Sequence, residues 1–348
     1  MTLQLKVGQR QVKKTDSLIA SLESLITVES QRANDLYISN YISFGDKTIK
    51  LQISPMGYIN QLIAGAFVPS NQTTHDFSLI VSTSNNFTQL IEMIGEMFAN
   101  PVLNFPLKPE HTHPFRIMLC ENQGQIYIYD TINRTGLIFL REESKLDFRS
   151  YITPFRLMFS WFANHLKGEI LHASAISISQ KTIIINGEKG SGKSTLALCS
   201  LNVGFQIISD DAVLAIGNQI FAIYGRAKLE QDNQYTKAFH AQSFSLYKNA
   251  TAKRIVPLNL FGDSFALRGN LHSIVLPIRF ESSRLQEVTF SDSVPLFVDN
   301  SLREIFGGLP SNRIRHLNLL RSNSRYILYS GLNIELTLSK LKRLLDEI

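Results

Sequence analysis

Apolar positions along this chain change their period several times, and each change marks an element. Leu and Ile recur at helical spacing through residues 17–30, SLIASLESLITVES, which predicts a helix. Residues 36–44 and 47–53 alternate apolar with polar, which predicts two strands joined by a turn at Gly45 and Asp46. Over 85–98, Phe87, Leu90, Ile91, Ile94, Met97 and Phe98 fall on one helical face. GQIYIYD (124–130) and TGLIFLR (135–141) read as a hairpin around TINR. This first stretch reads as packed core, and no chemistry stands out in it.

The charged run REESKLDFRS (141–150) predicts a boundary. It divides the chain into an N-terminal mixed α/β recognition domain, 1–150, and a second domain, 151–348. The second opens with a predicted helix, 154–166, with Pro154 at its start, where a missing N–H costs nothing. Phe155, Met158, Phe159 and Phe162 form its apolar face. Strands follow at 169–178 and 181–186, the latter nearly all apolar, as a strand buried on both faces should be. A helix is expected over 194–204, stopped by Gly204, then a strand over 205–211. Further strands are expected at 273–280 and 324–331. A last helix, 335–348, should turn Leu336, Leu338, Leu341, Leu344 and Leu345 inward. The order predicts an α/β fold with a central mixed, mostly parallel sheet.

Composition narrows the class without deciding the function. The chain has 348 residues, 44% hydrophobic and 18% charged, which suits a soluble globular protein. No apolar run reaches the ~18 residues of a membrane span, and the first residues lack the apolar stretch of a secretory signal. A cytoplasmic setting without membrane contact is expected. Cys120 and Cys199 give no disulfide or zinc framework and read as small buried apolar residues. The net charge is +6, concentrated late: residues 301–348 hold eight Lys/Arg against four Asp/Glu. Arg313, Arg315, Arg321 and Arg325 come without recognition motifs or interleaved aromatics. A solvated helix face is therefore expected there rather than a nucleic-acid surface.

The chemistry sits between the strand at 181–186 and the following helix. GEKGSGKS, Gly187 to Ser194, fits G-x-x-x-x-G-K-S, a loop whose glycines let backbone N–H groups converge on one phosphate. Gly187, Glu188, Lys189, Gly190, Ser191, Gly192, Lys193, Ser194 and Thr195 are the expected nucleotide-binding residues. The helix end adds its positive dipole. Lys193 would reach the β/γ-phosphates, and Ser194 would offer its hydroxyl to Mg²⁺. Asp210 and Asp211 end the next strand, 17 residues after Lys193. Ligands sit beyond the carboxyl ends of strands in open α/β sheets, so loop and acids should share one edge. Neighbouring strand residues point to opposite faces, so one Asp must leave strand geometry for both to face a phosphate. The plainer alternative is one metal ligand beside a turn-capping Asp. His172 lies 15 residues before Gly187 and could orient a carboxylate.

The segment LHASAISISQKTIIINGEKGSGKSTLALCSLNVGFQIISDDAVLAI resembles the catalytic domain of the HPr kinase/phosphorylase family, in its His, its glycine loop and its Asp pair. It is most similar to the HPr-kinase-like kinases of lasso peptides and other ribosomally made precursors. Those also carry an aromatic helix before LHA and a Y-x-x-A-K-L segment, here Tyr224, Ala227, Lys228 and Leu229. The resemblance covers about residues 150–280. It implies an HPr-kinase/PEP-carboxykinase-like phosphate-loop core and an ATP- and Mg²⁺-dependent kinase acting on a serine of a peptide or small protein. It also implies Asp210, paired with His172, as base, Asp211 with Ser194 at the metal, and Arg226 or Lys228 as phosphoryl clamps. The family's E-I-R-G signature has as nearest counterpart IYGRAKLE, which lacks the Glu; Glu230 is a substitute ligand. Other readings are a nucleotide-gated binding module without transfer, and a small-molecule kinase. A motor or GTPase would need switch or guanine-reading segments that are not seen. A homo-oligomer is left open.

Overall fold

The structure, a computed structural model, describes residues 20–55, 62–83, 90–92, 115–120, 124–141, 148–230, 253–302, 310–331 and 333–346, and single positions at 59, 237, 239 and 243. The chain forms two compact units. One holds Met1–Ile42, Thr48–Gln61 and Asn71–Asp147; the other holds Phe148–Ile348 together with the short pieces Ser43–Lys47 and Leu62–Ser70.

The first unit carries helix α1 (20–36) and a six-stranded sheet. Its strands are β1 (Ile38–Phe44), β2 (Lys47–Ile53), β3 (Phe77–Thr83), β4 (Phe115–Cys120), β5 (Gln125–Asp130) and β6 (Thr135–Leu140), in the order β1-β2-β3-β6-β5-β4. β5 and β6 form the expected hairpin, in register from Asp130↔Thr135 to Gln125↔Leu140. Asp130 Oδ1 accepts from the N–H groups of Ile132 and Asn133, at 2.9 and 3.0 Å, which fixes the turn. The expected helix over 85–98 lies mostly outside the described residues; 90–92 are helical. Leu22, Ile26, Ile80, Ile126, Ile128 and Phe139 are buried in one core beneath α1.

The second unit begins with α2 (Phe148–Ile152) and α3 (Arg156–His165). Its large sheet is built from β7 (Glu169–Leu171), β8 (Ser174–Ile178), β9 (Lys181–Ile185), β10 (Gln206–Ser209), β11 (Val213–Ile216), β12 (Gln219–Phe221), β15 (Arg268–Arg279), β16 (Arg284–Glu287) and β17 (Ser324–Ser330). The strand path is β10-β8-β9-β15-β12-β11-β7, with β17 on β15 and β16 on β17. β13 (Arg226–Glu230) and β14 (Lys253–Pro257) make a separate antiparallel ribbon. Helices α4 (Lys193–Ser200) and α7 (Ile334–Asp346) pack one core with Ile183, Ile185 and Val275. Helices α5 (Phe290–Leu302) and α6 (Pro310–Ser322) cover the other face with Ile184, Ile274 and Leu276. The alternation of β9, inward to both sides, is what the nearly all-apolar 181–186 predicts.

The sheet is mixed, but it is not mostly parallel. Among the described strands of this sheet, only β9·β15 and β15·β17 run parallel. β8 turns back onto β9 through Ser179 and Gln180, whose φ values are 48° and 66°. Both central positions positive is the tight-hairpin geometry that Asn-Gly usually announces; Ser-Gln gives no such signal. A second two-residue turn, Gly217 and Asn218, joins β11 to β12.

The expected strand at 169–178 is also two strands. β7 pairs with β11 at one end of the path, while β8 lies next to β10 at the other. Five strand spacings of about 4.8 Å separate β7 from β8 along the path. The three residue steps from Leu171 to Ser174 reach at most about 11 Å. The sheet must therefore curl until its two ends meet. The chain crosses that seam twice, at His172–Ala173 and at Asp210–Ala212. The strand expected over 205–211 stops at Ser209 for this reason. In α7, Leu338, Leu341, Leu344 and Leu345 are buried, but Leu336 is 47% exposed. Thr337 takes the inward position instead, bonding Ser283 at 2.7 Å.

The Ser179–Gln180 turn carries two side chains in the left-handed region, at a cost of about 1 kcal/mol or more each. The double variant Ser179→Asn, Gln180→Gly should add about 1 kcal/mol of stability, read as a higher urea midpoint at unchanged m-value. A lowered midpoint would mean the turn is not of this type.

Candidate functional site

The glycine loop leaves the end of β9 and enters α4. Gly190 and Gly192 have φ of 86° and 97°, and a Cβ at either would point into open space. The requirement there is backbone conformation alone. At Gly187 it is room: a Cβ would stand 2.9 Å from Ser191 Oγ and 3.2 Å from Pro277 Cδ. The loop closes on itself through Ser191 N–H to the Glu188 carbonyl, 3.1 Å. Glu188, Lys189 and Gly190 are exposed at its tip; Ser194 and Thr195 lie half-buried on the first turn of α4. Lys193 is 7% exposed and its Nζ donates to the carbonyls of Gly187, at 2.5 Å, and Glu188, at 3.1 Å. The Ser191 hydroxyl is buried without a hydrogen-bond partner among the described residues. A buried donor left unmade costs about 1–3 kcal/mol, and an oxyanion in the loop would remove that cost. The first-turn amides of a helix likewise lack intrahelical acceptors.

Strand register brings the loop and the acids to one edge. Ser174, at the start of β8, faces Ile185, at the end of β9; Ala175 faces Ser209, at the end of β10. Asn186 ties the seam to the loop strand, its Nδ2 donating to the His172 carbonyl at 2.9 Å. Loop, His172 and the Asp pair thus follow one another across three neighbouring strands, β9, β8 and β10.

The two carboxylates have different surroundings. Asp210 is completely enclosed. Ser174 Oγ donates to its Oδ1 at 2.5 Å, and the Lys228 N–H donates to its Oδ2 at 3.0 Å. Asp211 departs from strand geometry with φ of 72°, in a region that is strained for a side chain other than Gly. Its Oδ1 meets Lys228 Nζ in a direct ion pair, and His172 Nδ1 lies 3.7 Å from the same oxygen. His172 Nδ1 also lies 2.9 Å from the Asp211 carbonyl. A carbonyl only accepts, so Nδ1 carries the proton in that contact. Burial alone would raise the Asp211 pKa, but Lys228, His172 and Arg156 together hold it below the usual carboxylate range.

Two expectations from the sequence change here. Asp210 does not suit proton acceptance, because it is enclosed and both oxygens are already bonded; it holds Ser174 and β13 in place. The carboxylate beside His172 is that of Asp211. Arg226 does not suit a phosphoryl clamp. It is 1% exposed, and its guanidinium donates to the carbonyls of Leu62 (2.9 Å), Tyr151 (2.5 Å) and Ala64. Burial lowers its pKa to about 10, which leaves it charged at neutral pH. Lys228, two residues on along the same face of β13, is the cation that the ribbon brings to the seam, while Ala227 and Leu229 anchor the opposite face in the core. Glu230 is exposed. Ser174, Asn186 and Arg156 are the site residues that the sequence did not single out.

No group of three or more His, Cys, Asp or Glu able to hold a metal forms among the described residues. A Mg²⁺ bound with phosphates needs only one or two protein oxygens, and Ser194 and Asp211 offer hard oxygens of that kind. Burial lifts the Cys120 and Cys199 thiols to about 11, so neither is a nucleophile at neutral pH. Of the basic stretch, Arg315 bonds Asn164 Oδ1, and Arg325 Nη1 bonds the carbonyls of Leu320, Arg321 and Asn323 at the end of α6; Arg313 has no described side chain. No helix among the described residues is long and apolar enough to cross a membrane.

Compared with known proteins, no family model and no curated protein matches the chain. Among solved structures, 77 chains match. One is described as the Hpr(Ser) kinase/phosphatase from Coxiella burnetii, with 15% identity and a TM-score of 0.27, covering 52% of this chain and 99% of that one. A likeness at that score adds nothing to the chemistry, which rests on the residues themselves. The chain is a mixed α/β protein with a glycine loop and a buried acid–cation cluster at one sheet edge.

Lys228→Met would leave Asp211 buried without its nearest cation, which should cost about 3–5 kcal/mol in a denaturant titration at pH 7. The folded pKa of Asp211 lies below its unfolded value of about 3.9. Its stabilising contribution is therefore complete above about pH 4 and is lost as pH falls toward the folded value. The variant should lose stability throughout pH 5–8 and unfold at higher pH on acidification. A variant as stable as the parent would show that the pair carries no weight.

Proposed function

We propose that this chain is an ATP- and Mg²⁺-dependent kinase that transfers the terminal phosphoryl group to a serine hydroxyl of a peptide or small protein. The observation that supports it is the seam, where the end of the loop strand and the Asp211–Lys228–His172 cluster meet at one sheet edge.

In this reading the loop amides and Lys193 hold the β- and γ-phosphates, which requires Lys193 to exchange the carbonyls of Gly187 and Glu188 for phosphate oxygens. Ser194 would hold Mg²⁺ together with the nucleotide oxygens, and the bound ion would supply charge neutralisation at the leaving group. The acceptor oxygen forms a bond to the γ-phosphorus as the bond from that phosphorus to the β,γ-bridging oxygen breaks. The hydroxyl proton passes to Asp211. A carboxylate held ionised is a weak base, but proton transfer comes late in a loose phosphoryl transition state, so positioning outweighs basicity. Lys228 stands beside Asp211 as a fixed positive charge for the transferring group, and Asp210 keeps β13 at the distance this needs. His172, with Nδ1–H on the Asp211 carbonyl, holds the strained turn.

Two variants test this with γ-labelled ATP and serine-bearing peptides. Lys193→Ala should lower kcat/KM by about a hundredfold or more, the usual loss for a preorganised charge. Asp211→Asn should abolish transfer at every Mg²⁺ concentration while nucleotide still binds. Recovery of transfer at raised Mg²⁺ would make Asp211 a metal ligand rather than the proton acceptor. Full activity in both variants would remove this site from any transfer reaction.

A further inference from the structure

β9 is apolar from Ile183 to Ile185, and the next residue is an amide. Asn186 is fully buried. A polar side chain in such a place needs a partner to replace the water it loses. Its Nδ2 donates to the His172 carbonyl at 2.9 Å, and its backbone N–H donates to the Val275 carbonyl of the central strand β15 at 3.0 Å. Asn186 is thus held from two sides, one residue before the glycine loop begins.

The carbonyl that Asn186 holds belongs to a crossing. β7 ends at Leu171 and β8 begins at Ser174, so the peptide between His172 and Ala173 lies outside both ladders. The Ala173 N–H turns back on the Leu171 carbonyl at 3.1 Å, a bend of three residues. At the centre of that bend, the His172 ring reaches the other crossing, where Nδ1–H meets the Asp211 carbonyl at 2.9 Å. Asp211 is the residue with the left-handed φ of 72°. Hydrogen bonds therefore run without a break from the entry of the loop, through the His172 main chain and ring, to the turn that aims the Asp211 carboxylate. The neighbouring Gly187 carbonyl accepts from Lys193 Nζ at 2.5 Å, and it gives up that partner when Lys193 turns to a phosphate. The two bonds of Asn186 take no part in that exchange.

We infer that Asn186 is a positioning residue for the transfer, which fixes the His172 bend, and through it the Asp211 carboxylate, relative to phosphates bound in the loop. This rests on the kinase reading above and deepens it. Asn186 acts through the His172 ring and not on the reactants. A misplacement of about 1 Å between reacting groups costs up to about a hundredfold in rate. The loop amides and Lys193 bind phosphate wherever Asp211 stands. Loss of the Asn186 donor should therefore appear in kcat and not in nucleotide affinity.

The test is a double-mutant cycle read as kcat with γ-labelled ATP and serine-bearing peptides, beside the calorimetric Kd of Mg·ATP. Asn186→Leu keeps the volume and removes the donor; Asn186→Ser, too short to reach the carbonyl, is the second variant should the first not fold. Either should lower kcat by about ten- to a hundredfold and leave the Kd unchanged. In a His172→Ala background the same substitution should lower kcat no further, because the ring that carries its effect is gone. An unchanged kcat in a folded variant would overturn the inference and leave the kinase reading standing. Losses that multiply in the two backgrounds would overturn the route through His172, and a Kd that weakens in step with kcat would place Asn186 in phosphate binding instead. In the parent, the His172 Nδ1 proton should give a slowly exchanging, hydrogen-bonded NMR signal; a freely exchanging one would overturn the path without any substitution. A parent that transfers no phosphate to any peptide would overturn the kinase reading and the positioning role together.

Discussion

The seam of the curled sheet governs the second unit. Two crossings, His172–Ala173 and Asp210–Ala212, run between its ends in a few residues each. Because strands of fixed spacing cannot be bridged by so short a chain unless the ends meet, both crossings are forced together. Their polar groups must then satisfy one another in a buried place. Ser209 Oγ on the Ala212 carbonyl, Asn186 on the His172 carbonyl and His172 on the Asp211 carbonyl are the result. The left-handed backbone at Asp211 is the strained element of this arrangement, and strain of that kind collects where a side chain must be aimed.

Electrostatics at the seam follows from the crossing. Asp211 is buried, and a buried carboxylate remains ionised only when cations surround it. Lys228 arrives on the β13–β14 ribbon, His172 on the facing crossing and Arg156 at the start of α3. Asp210 has other partners, a hydroxyl on one oxygen and an amide on the other. Two adjacent carboxylates thus divide into a structural anchor and a charged group poised at the edge of the loop. The Arg226 guanidinium, on the same face as Lys228, binds two carbonyls of Leu62–Ser70, those of Leu62 and Ala64, and the carbonyl of Tyr151, and so ties the ribbon to both segments.

How much of this was legible in the sequence depends on whether a signal is local. The glycine loop is local: its residue types fix the backbone, and a buried strand and a helix flank it as its pattern predicts. The last helix is local as well, apart from Leu336, where five leucines cannot all share one stripe and Thr337 takes the inward place. The parallel sheet was misread because the turn at Ser179–Gln180 carries no glycine or asparagine to announce a hairpin. The single strand expected at 169–178 hid a crossing because His172 and Ala173 fit an apolar run. The choice between the two acids was out of reach, since it depends on Ser174 and on a ribbon 17 residues further along. Arg226 and Lys228 looked alike by spacing; only the position of Leu62–Ser70 separates them.

The most direct measurement is the crystal structure of the protein with Mg²⁺ and a non-hydrolysable ATP analogue. The account requires the terminal phosphate between Lys193 and Lys228, with Asp211 at hydrogen-bond distance from the site of an incoming hydroxyl and the triphosphate along the loop amides. A nucleotide bound elsewhere, or one whose terminal phosphate points away from the seam toward β17, would contradict it.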